Sequence, residues 1–505
     1  MSTADVGPVF TLATGPVGST QATQAALAQP VLHHTDPAFR ALYAETVTLL
    51  RSAFGTSADP VIFPGEAVVG IEAAAAAVIG PDDVVLNVVS GIYGRAFGQL
   101  AGRFARDVVE VATADNASID PAAVGEALAR RQDVTIVSVV HCETPSGTMN
   151  DLDAIARLTA GRGALLVVDA VSSFGGMRTD FENWPGIAIT APQKCLGGTP
   201  GLSLLHVSDG AWRHIAANPN APSRSALSIL DWRDAHRPGR AFPFTPPVSE
   251  IYALRSVLLQ YLAEGRENVE RRHRRAARAV RAGAQALGVN LWAAEDAIRA
   301  DTVTAIEMPA GVDEAEVRAV ARAESGVMLA GGQGALRGRV LQIGHMGPAA
   351  YPLSPVIALT AVGRALRRLG AAADIGAGVE AALAAWDDDG DDEDDGGRER
   401  TLPGHAARGR AIGGGRRPEH RRAEPAAGLK GQLDVVAVVA DRMAEALLGL
   451  VDSVLDGVLV QYQPFGGRLV ASAGVEEHQQ GLAQSGVVLV VGGQPPQRAQ
   501  HPGAE

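Results

Sequence analysis

The feature that most constrains this chain is a series of short, almost uninterrupted apolar runs: Val84-Val85-Leu86-Asn87-Val88-Val89, Asp133 through Val140, and Ala164-Leu165-Leu166-Val167-Val168-Asp169. Each is too short for a helix that buries one stripe, and none alternates. Both faces must therefore be covered, which is the condition of strands inside a parallel sheet. Val61-Ile62-Phe63 and Gly201 through Val207 read the same way, and segments of helical spacing such as Leu152 to Thr159 lie between the runs. Strands alternating with helices predict a doubly wound, mostly parallel α/β domain. Asp36-Pro37 starts one of the helices, Asp as cap and Pro in the first turn, with a core stripe from Phe39 to Phe54 before Gly55.

Open sheets of this kind keep their sites at the carboxyl ends of strands. Asp169 closes one apolar run, and 25 residues on, Thr190-Ala191-Pro192-Gln193-Lys194-Cys195-Leu196-Gly197-Gly198 sets Lys194 among Pro and Gly at the end of another. A surface-loop lysine has the same local composition. A lysine desolvated in a pocket falls below its usual value of about 10.4 and becomes a nucleophile able to form a Schiff base with an aldehyde. A strand-end carboxylate wants a cation, and pyridoxal chemistry has one in its pyridinium nitrogen. Lysine for the aldehyde and aspartate for the ring nitrogen make a pair.

Asp169-Ala170-Val171-Ser172-Ser173-Phe174-Gly175-Gly176 and Pro192-Gln193-Lys194-Cys195-Leu196-Gly197 resemble the corresponding stretches of class V (fold-type I) aminotransferases of the alanine–glyoxylate group. Gly65-Glu66, Ser90-Gly91-Ile92-Tyr93-Gly94, Thr144-Pro145-Ser146-Gly147-Thr148 and Phe242-Pro243-Phe244-Thr245-Pro246 are similar to the pyridoxamine–pyruvate branch of that family. The similarity runs from about Gly15 to Asp387, with the motifs in the same order. It implies a homodimer with shared active sites that transfers an amino group between pyridoxamine, or an amino acid, and a small α-keto acid such as pyruvate. The ring would be pyridoxal 5'-phosphate as cofactor, or free pyridoxal or pyridoxamine bound at the same place as substrate.

The resemblance assigns roles that the residues alone leave open. Lys194 is the catalytic residue, and Gln193 beside it belongs to the ring-binding set. Tyr93, in a glycine-flanked turn, stacks on the ring or simply packs. The Thr144 hydroxyl reaches the ring's phenolic oxygen or closes its own turn. Glu66 follows a glycine into a helix N-terminus, an anion cradle that holds the cofactor phosphate in the wider family. A carboxylate there either caps the helix or signals a ring without phosphate. By resemblance Phe244 and Thr245 reach into the neighbouring subunit's site, whereas by composition they form a turn. In relatives an arginine at the position of Gln342 binds the substrate carboxylate by a bidentate fork. Here Gln342 is neutral, as is Gln333, so Arg337 or Arg339 either compensates or, in a strand-edge loop, is a surface residue.

The chain is expected to hold a large domain over 1–250, a connecting helix and smaller α+β domain over 251–386, and a charged, largely disordered tail over 387–505. The small domain should contain strands at Thr302 to Met308, Gly326 to Leu329 and Val340 to Ile343, and a helix from Pro355 to Leu369. Eight acidic residues from Asp387 to Asp395 precede eight arginines from Arg398 to Arg422, a pattern of disorder. Leu433 to Leu459 has helical spacing and Gly486 to Gly493 is rich in Val.

With 44 basic and 56 acidic residues the net charge is −12, which argues against nucleic acid as partner. Cys142 and Cys195 are the only cysteines, so no disulfide framework exists and a reducing cytoplasm is expected. Cys195 reads as a small buried thiol, His206 as a satisfied core or edge residue, and Arg271 to Arg275 as a solvated helix face. The N-terminus lacks the pattern of a secretory signal, no run suits a membrane span, and no metal site is expected. Two rival classes follow. A cysteine desulfurase or other lyase on the same fold is disfavoured because neither cysteine lies in a mobile small-domain loop. A non-catalytic pyridoxal-binding protein is the other.

Overall fold

The apolar runs become the middle of one seven-stranded sheet. A computed structural model describes residues 10–388 and the backbone of three later strands. In the first part the strands are β1 (Phe10–Thr11), β2 (Val61–Pro64), β3 (Val84–Val89), β4 (Asp107–Ala112), β5 (Ile136–Val140), β6 (Cys142–Glu143), β7 (Thr148–Met149), β8 (Leu165–Asp169), β9 (Gly186–Thr190), β10 (Leu202–Val207), β11 (Val303–Glu307), β12 (Val327–Met328), β13 (Ala330–Gly331) and β14 (Val340–Gly344). The helices are α1 (Gln21–Leu27), α2 (Pro37–Phe54), α3 (Ala67–Val78), α4 (Ile92–Ala101), α5 (Pro121–Arg130), α6 (Leu152–Arg162), α7 (Asp209–Ala217), α8 (Ile229–Trp232), α9 (Val248–Glu264), α10 (Arg266–Leu287), α11 (Glu314–Ser325), α12 (Leu353–Arg368) and α13 (Ile375–Asp387).

The large sheet runs β2-β10-β9-β8-β5-β3-β4. From β4 to β9 every neighbouring pair is parallel, and β10 is antiparallel to both β9 and β2. Strands β3, β5, β9 and β10 are buried along their whole length, which is why their sequences lack alternation. Helix α2 starts as expected, with the Asp36 carboxylate accepting from the Ala38 N–H, and ends at Gly55, whose φ of 66° suits glycine.

Two hydrophobic cores result. One surrounds the large sheet and includes Phe39, Phe54, Leu166, Ile189 and Leu254. The second gathers Leu12, Val280, Leu287, Ile306, Leu341 and Leu359 around the antiparallel sheet β11-β14-β13. Leu12 belongs there because the N-terminal segment is tied to the second core: β1 pairs with β12, and the Gly344 N–H donates to the Leu12 carbonyl at 2.8 Å. Val17 N–H then donates to the Gln193 carbonyl at 3.1 Å, so this strap joins the second core to the lysine loop.

A second compact unit, residues 401–505, contains the antiparallel strands β15 (Leu459–Phe465), β16 (Arg468–Gly474) and β17 (Val487–Val491). The Val-rich run is thus a strand. The charged segment expected to be disordered, and nearly all of the helical spacing at Leu433 to Leu459, lie outside the described residues. Among the described residues no helix is long and apolar enough to cross a membrane, and no His, Cys, Asp and Glu group is arranged to hold a metal ion.

Candidate active site

The loops that follow β2, β3, β8 and β9, and the β6–β7 hairpin after β5, bring the predicted residues to the carboxyl side of the sheet. Asp169 is the last residue of β8, and Lys194 lies four residues beyond the end of the adjacent β9. The Lys194 Nζ donates to the Thr14 carbonyl at 2.6 Å. Burial pulls its affinity for a proton down, against the opposing pull of the neighbouring thiols and of Asp169 and Glu66. Gly15 makes room for it. At a φ of +114°, a Cβ on Gly15 would lie 2.5 Å from the lysine Cδ and 2.7 Å from Nζ.

The Asp169 Oδ1 accepts from the Val171 N–H at 2.9 Å. Burial pushes its carboxyl up to about 6, Lys194 draws it back and Glu66 adds to the rise. A carboxylate so placed is stabilised by an incoming cation. Glu66 caps α3, its Oε2 accepting from the Val68 N–H at 2.9 Å, while its Oε1 accepts from the Gln193 Nε2 at 2.7 Å. The helix end that would cradle an anion therefore already holds one. The other end of Gln193, Oε1, is buried without a hydrogen-bond partner among the described residues.

Tyr93 stands in the first turn of α4. Burial raises the pKa of its phenol, Gln333 draws it back, and Asp169, Glu143 and Glu66 add to the rise. Its backbone is held by Glu143, an acid that sequence reasoning did not single out. The Glu143 Oε2 accepts from the Tyr93 N–H at 3.2 Å and Oε1 from the Gly94 N–H at 2.8 Å, and burial pushes the carboxyl to about 7. The readable signal was a tyrosine at a helix start whose flanking residues, Gly91 and Gly94, have no side chain to cap it. Beside this turn lies a cavity of about 310 Å³, walled by Arg95, Asp115, Glu143, Ser146 and Gln333.

Thr144 is buried, its hydroxyl 2.5 Å from that of Ser172. Gln342 is buried too: its Oε1 accepts from the Thr14 hydroxyl at 2.9 Å and its Nε2 donates to the Gly331 carbonyl. Through Thr14 it is linked to Lys194. The two arginines lie elsewhere. Arg337 faces a surface cavity of about 400 Å³ with Asp313, Glu314 and Arg318. The Arg339 guanidinium lies 5.2 Å from the Trp292 ring centroid. Phe244 and Thr245 are exposed on this chain, Phe244 set edge-on to Trp232 at 5.1 Å.

Other expectations meet mixed outcomes. Cys142 and Cys195 are free and buried, and burial lifts both thiols, Cys142 to about 12, so neither is a ready thiolate. His206 is a core residue but not a satisfied one, since neither ring nitrogen has a partner and burial lowers it to about 4. The basic helix is not wholly solvated. Arg272 pairs with Glu264 at 2.6 Å and stacks on Tyr351, and His273 is fully buried, its Nε2 accepting from the Gly347 N–H at 2.9 Å.

Residues 21–346 match the family Aminotransferase class-V. The chain is 48% identical over 383 residues to a pyridoxamine–pyruvate transaminase of Mesorhizobium japonicum, covering 76% of this chain and 98% of the relative. It is 30% identical over 406 residues to an (S)-ureidoglycine–glyoxylate transaminase of Bacillus subtilis, covering 76% of this chain and 97% of that one. The crystal structure of pyridoxamine–pyruvate aminotransferase from Mesorhizobium loti superposes with a TM-score of 0.74 at 48% identity, covering 75% of this chain and 97% of that chain. With a lysine and a strand-end aspartate at the carboxyl edge of a fold-type I sheet, and with a family match over most of its described length, the chain belongs to the class-V aminotransferases, enzymes whose chemistry depends on pyridoxal phosphate.

Proposed function

We propose that this aminotransferase moves an amino group between free pyridoxamine and a small α-keto acid such as pyruvate. The observation that carries the reading is Glu66. Its carboxylate occupies the N-terminus of α3, fixed by Val68 and Gln193. A phosphate dianion at that helix end would meet a negative charge in place of free N–H groups. An unphosphorylated ring brings a hydroxyl instead, whose single proton can go to the Glu66 carboxylate or to the unpartnered Gln193 Oε1. The residues therefore fit the ring and disfavour its phosphate. The rival within the family, a pyridoxal-phosphate enzyme of the alanine–glyoxylate kind, needs that cradle empty.

A pyridoxal-type ring supplies an aldehyde that condenses with amines and a pyridinium that withdraws electrons from the adjoining carbon. The chain's residues do the rest. Lys194, its affinity for a proton lowered by burial, would be the nucleophile toward the aldehyde and afterwards the base that carries a proton on Nζ. The Thr14 carbonyl orients that amine. Asp169 keeps a proton on the ring nitrogen, and the added cation lowers the aspartate from its raised value. Tyr93 would stack on such a ring, and Thr144 with Ser172 would meet its phenolic oxygen.

For the keto acid, Gln342 acts through Thr14, both ends of its amide being engaged. Arg337 lines a separate surface cavity and Arg339 lies against Trp292, so neither is a first choice, and the cavity beside Tyr93 suits a small acceptor. A second copy of the chain completes each site with Phe244 and Thr245, a role supported by the exposure of Phe244 and of Val68 beside Glu66. The two free thiols suit a reducing cytoplasm.

The test is a pair of half-reactions on purified protein, pyridoxamine with pyruvate against pyridoxal phosphate with L-alanine. Release of pyridoxal in the first without any phosphate cofactor supports the proposal. Turnover only in the second overturns it in favour of the rival. Binding of pyridoxal with turnover in neither identifies a non-catalytic binding protein.

A further inference from the structure

Glu143 is the acid of the site that no step above uses, and it is only 1% exposed. It arrives from β6, immediately before Thr144, and crosses to the start of α4. The cap position of that helix is Gly91, which makes no side-chain capping bond. Glu143 supplies from another strand what a Ser or Asp at the cap supplies in most helices. Its two oxygens take the Tyr93 and Gly94 N–H groups, at 3.2 and 2.8 Å. Glycines make the approach possible: a Cβ on Gly91 would sit 2.5 Å from the Glu143 Cδ, and one on Gly94 would sit 3.3 Å from Oε1. Tyr93 is thus held through its backbone by Glu143, and Glu143 lines the same cavity as Gln333.

We propose that Glu143 is a positioning residue for Tyr93, fixing the first turn of α4 so that the phenol ring keeps the plane in which it stacks. The inference rests on the pyridoxal reading of the site. It goes beyond that reading in assigning Glu143 an effect on ring affinity that passes wholly through Tyr93, with no contact to the ring itself. A carboxylate accepts both N–H groups, a glutamine at the same place accepts one of them, and an alanine accepts neither.

The test is a double-mutant cycle on the full chain, with pyridoxal titrated by visible absorbance and folding followed by circular dichroism. We expect Glu143→Ala to weaken pyridoxal binding about tenfold and Glu143→Gln about threefold, the scale of a lost cap combined with a misaligned aromatic contact. Tyr93→Ala and the double variant Tyr93→Ala/Glu143→Ala should bind alike, because the second change has nothing left to act through. Additive losses overturn the proposal, as does wild-type affinity in folded Glu143→Ala. If that variant does not fold, the isosteric Glu143→Gln, alone and with Tyr93→Ala, gives the same cycle. Wild-type protein that takes up no pyridoxal overturns the pyridoxal reading itself, a result separate from additivity in the cycle.

Discussion

Lys194 and Asp169 are the residues whose removal should cost most. Lys194→Ala is expected to lower turnover about a thousandfold or more while pyridoxal still binds, as measured by initial rates beside equilibrium titration. Gly15→Ala tests the room around the lysine. With its φ of +114° and the overlap a methyl would make with Cδ and Nζ, it should reduce kcat about a hundredfold, the loss that follows when a catalytic group moves by about 1 Å. Burial lifts Asp169 from 3.8 to about 6 and Glu143 from 4.5 to about 7. Each binds its proton more tightly folded than unfolded. Its contribution to stability is therefore complete below the unfolded value and is lost as pH rises through the folded one. Thermal melts of ligand-free protein should show stability falling from about pH 4 to about pH 7 on this account, with Asp169→Asn flattening the lower part. A profile rising across that range would contradict the burial of both acids. The lysine and the aspartate were legible because each closes an apolar run. Glu143 was not, because its task is set by a helix 49 residues earlier in the chain.

At the scale of elements, the site is made by helix ends and by a strap. The N-termini of α3 and α4 are each capped by a glutamate, Glu66 from its own helix and Glu143 from another strand. Opening the first should change ligand choice. Glu66→Ser keeps a capping oxygen, removes the charge, and is expected to move the ratio of pyridoxal to pyridoxal phosphate affinity about tenfold toward the phosphate. Competitive titration reads that ratio, and an unchanged value would show that the helix end does not meet this part of the ring. Strands and helices were largely readable from periodicity, including α2 with its cap and the strands of the second core. The strap of residues 10–17 was not. Thr14 meets Gln342 across 328 positions, and nothing local in Thr14-Gly15-Pro16 announces so distant a partner. That contact also explains why Gln342 cannot be read by simple replacement of an arginine: its amide ties the strap to β14 and, through Thr14, to the lysine.

For the whole molecule, the two cores meet the strap and the lysine loop, and the carboxyl edge of the large sheet carries the proposed site. Exposed Phe244 marks where a second copy is expected to seat. Sedimentation velocity should find two chains per particle, and Phe244→Asp should either dissociate them or lower activity within an intact pair. A fully active monomer would contradict shared sites. The central claim is that Lys194 condenses with an unphosphorylated pyridoxal ring held by Asp169. Borohydride reduction of the protein with pyridoxal, and separately with pyridoxal phosphate, followed by peptide mass mapping, tests it most directly. A pyridoxyl group on the peptide containing Lys194, formed in clear preference to its phosphorylated counterpart, is the predicted result. Label on any other lysine, or a phosphopyridoxyl group formed equally well at Lys194, would contradict the account.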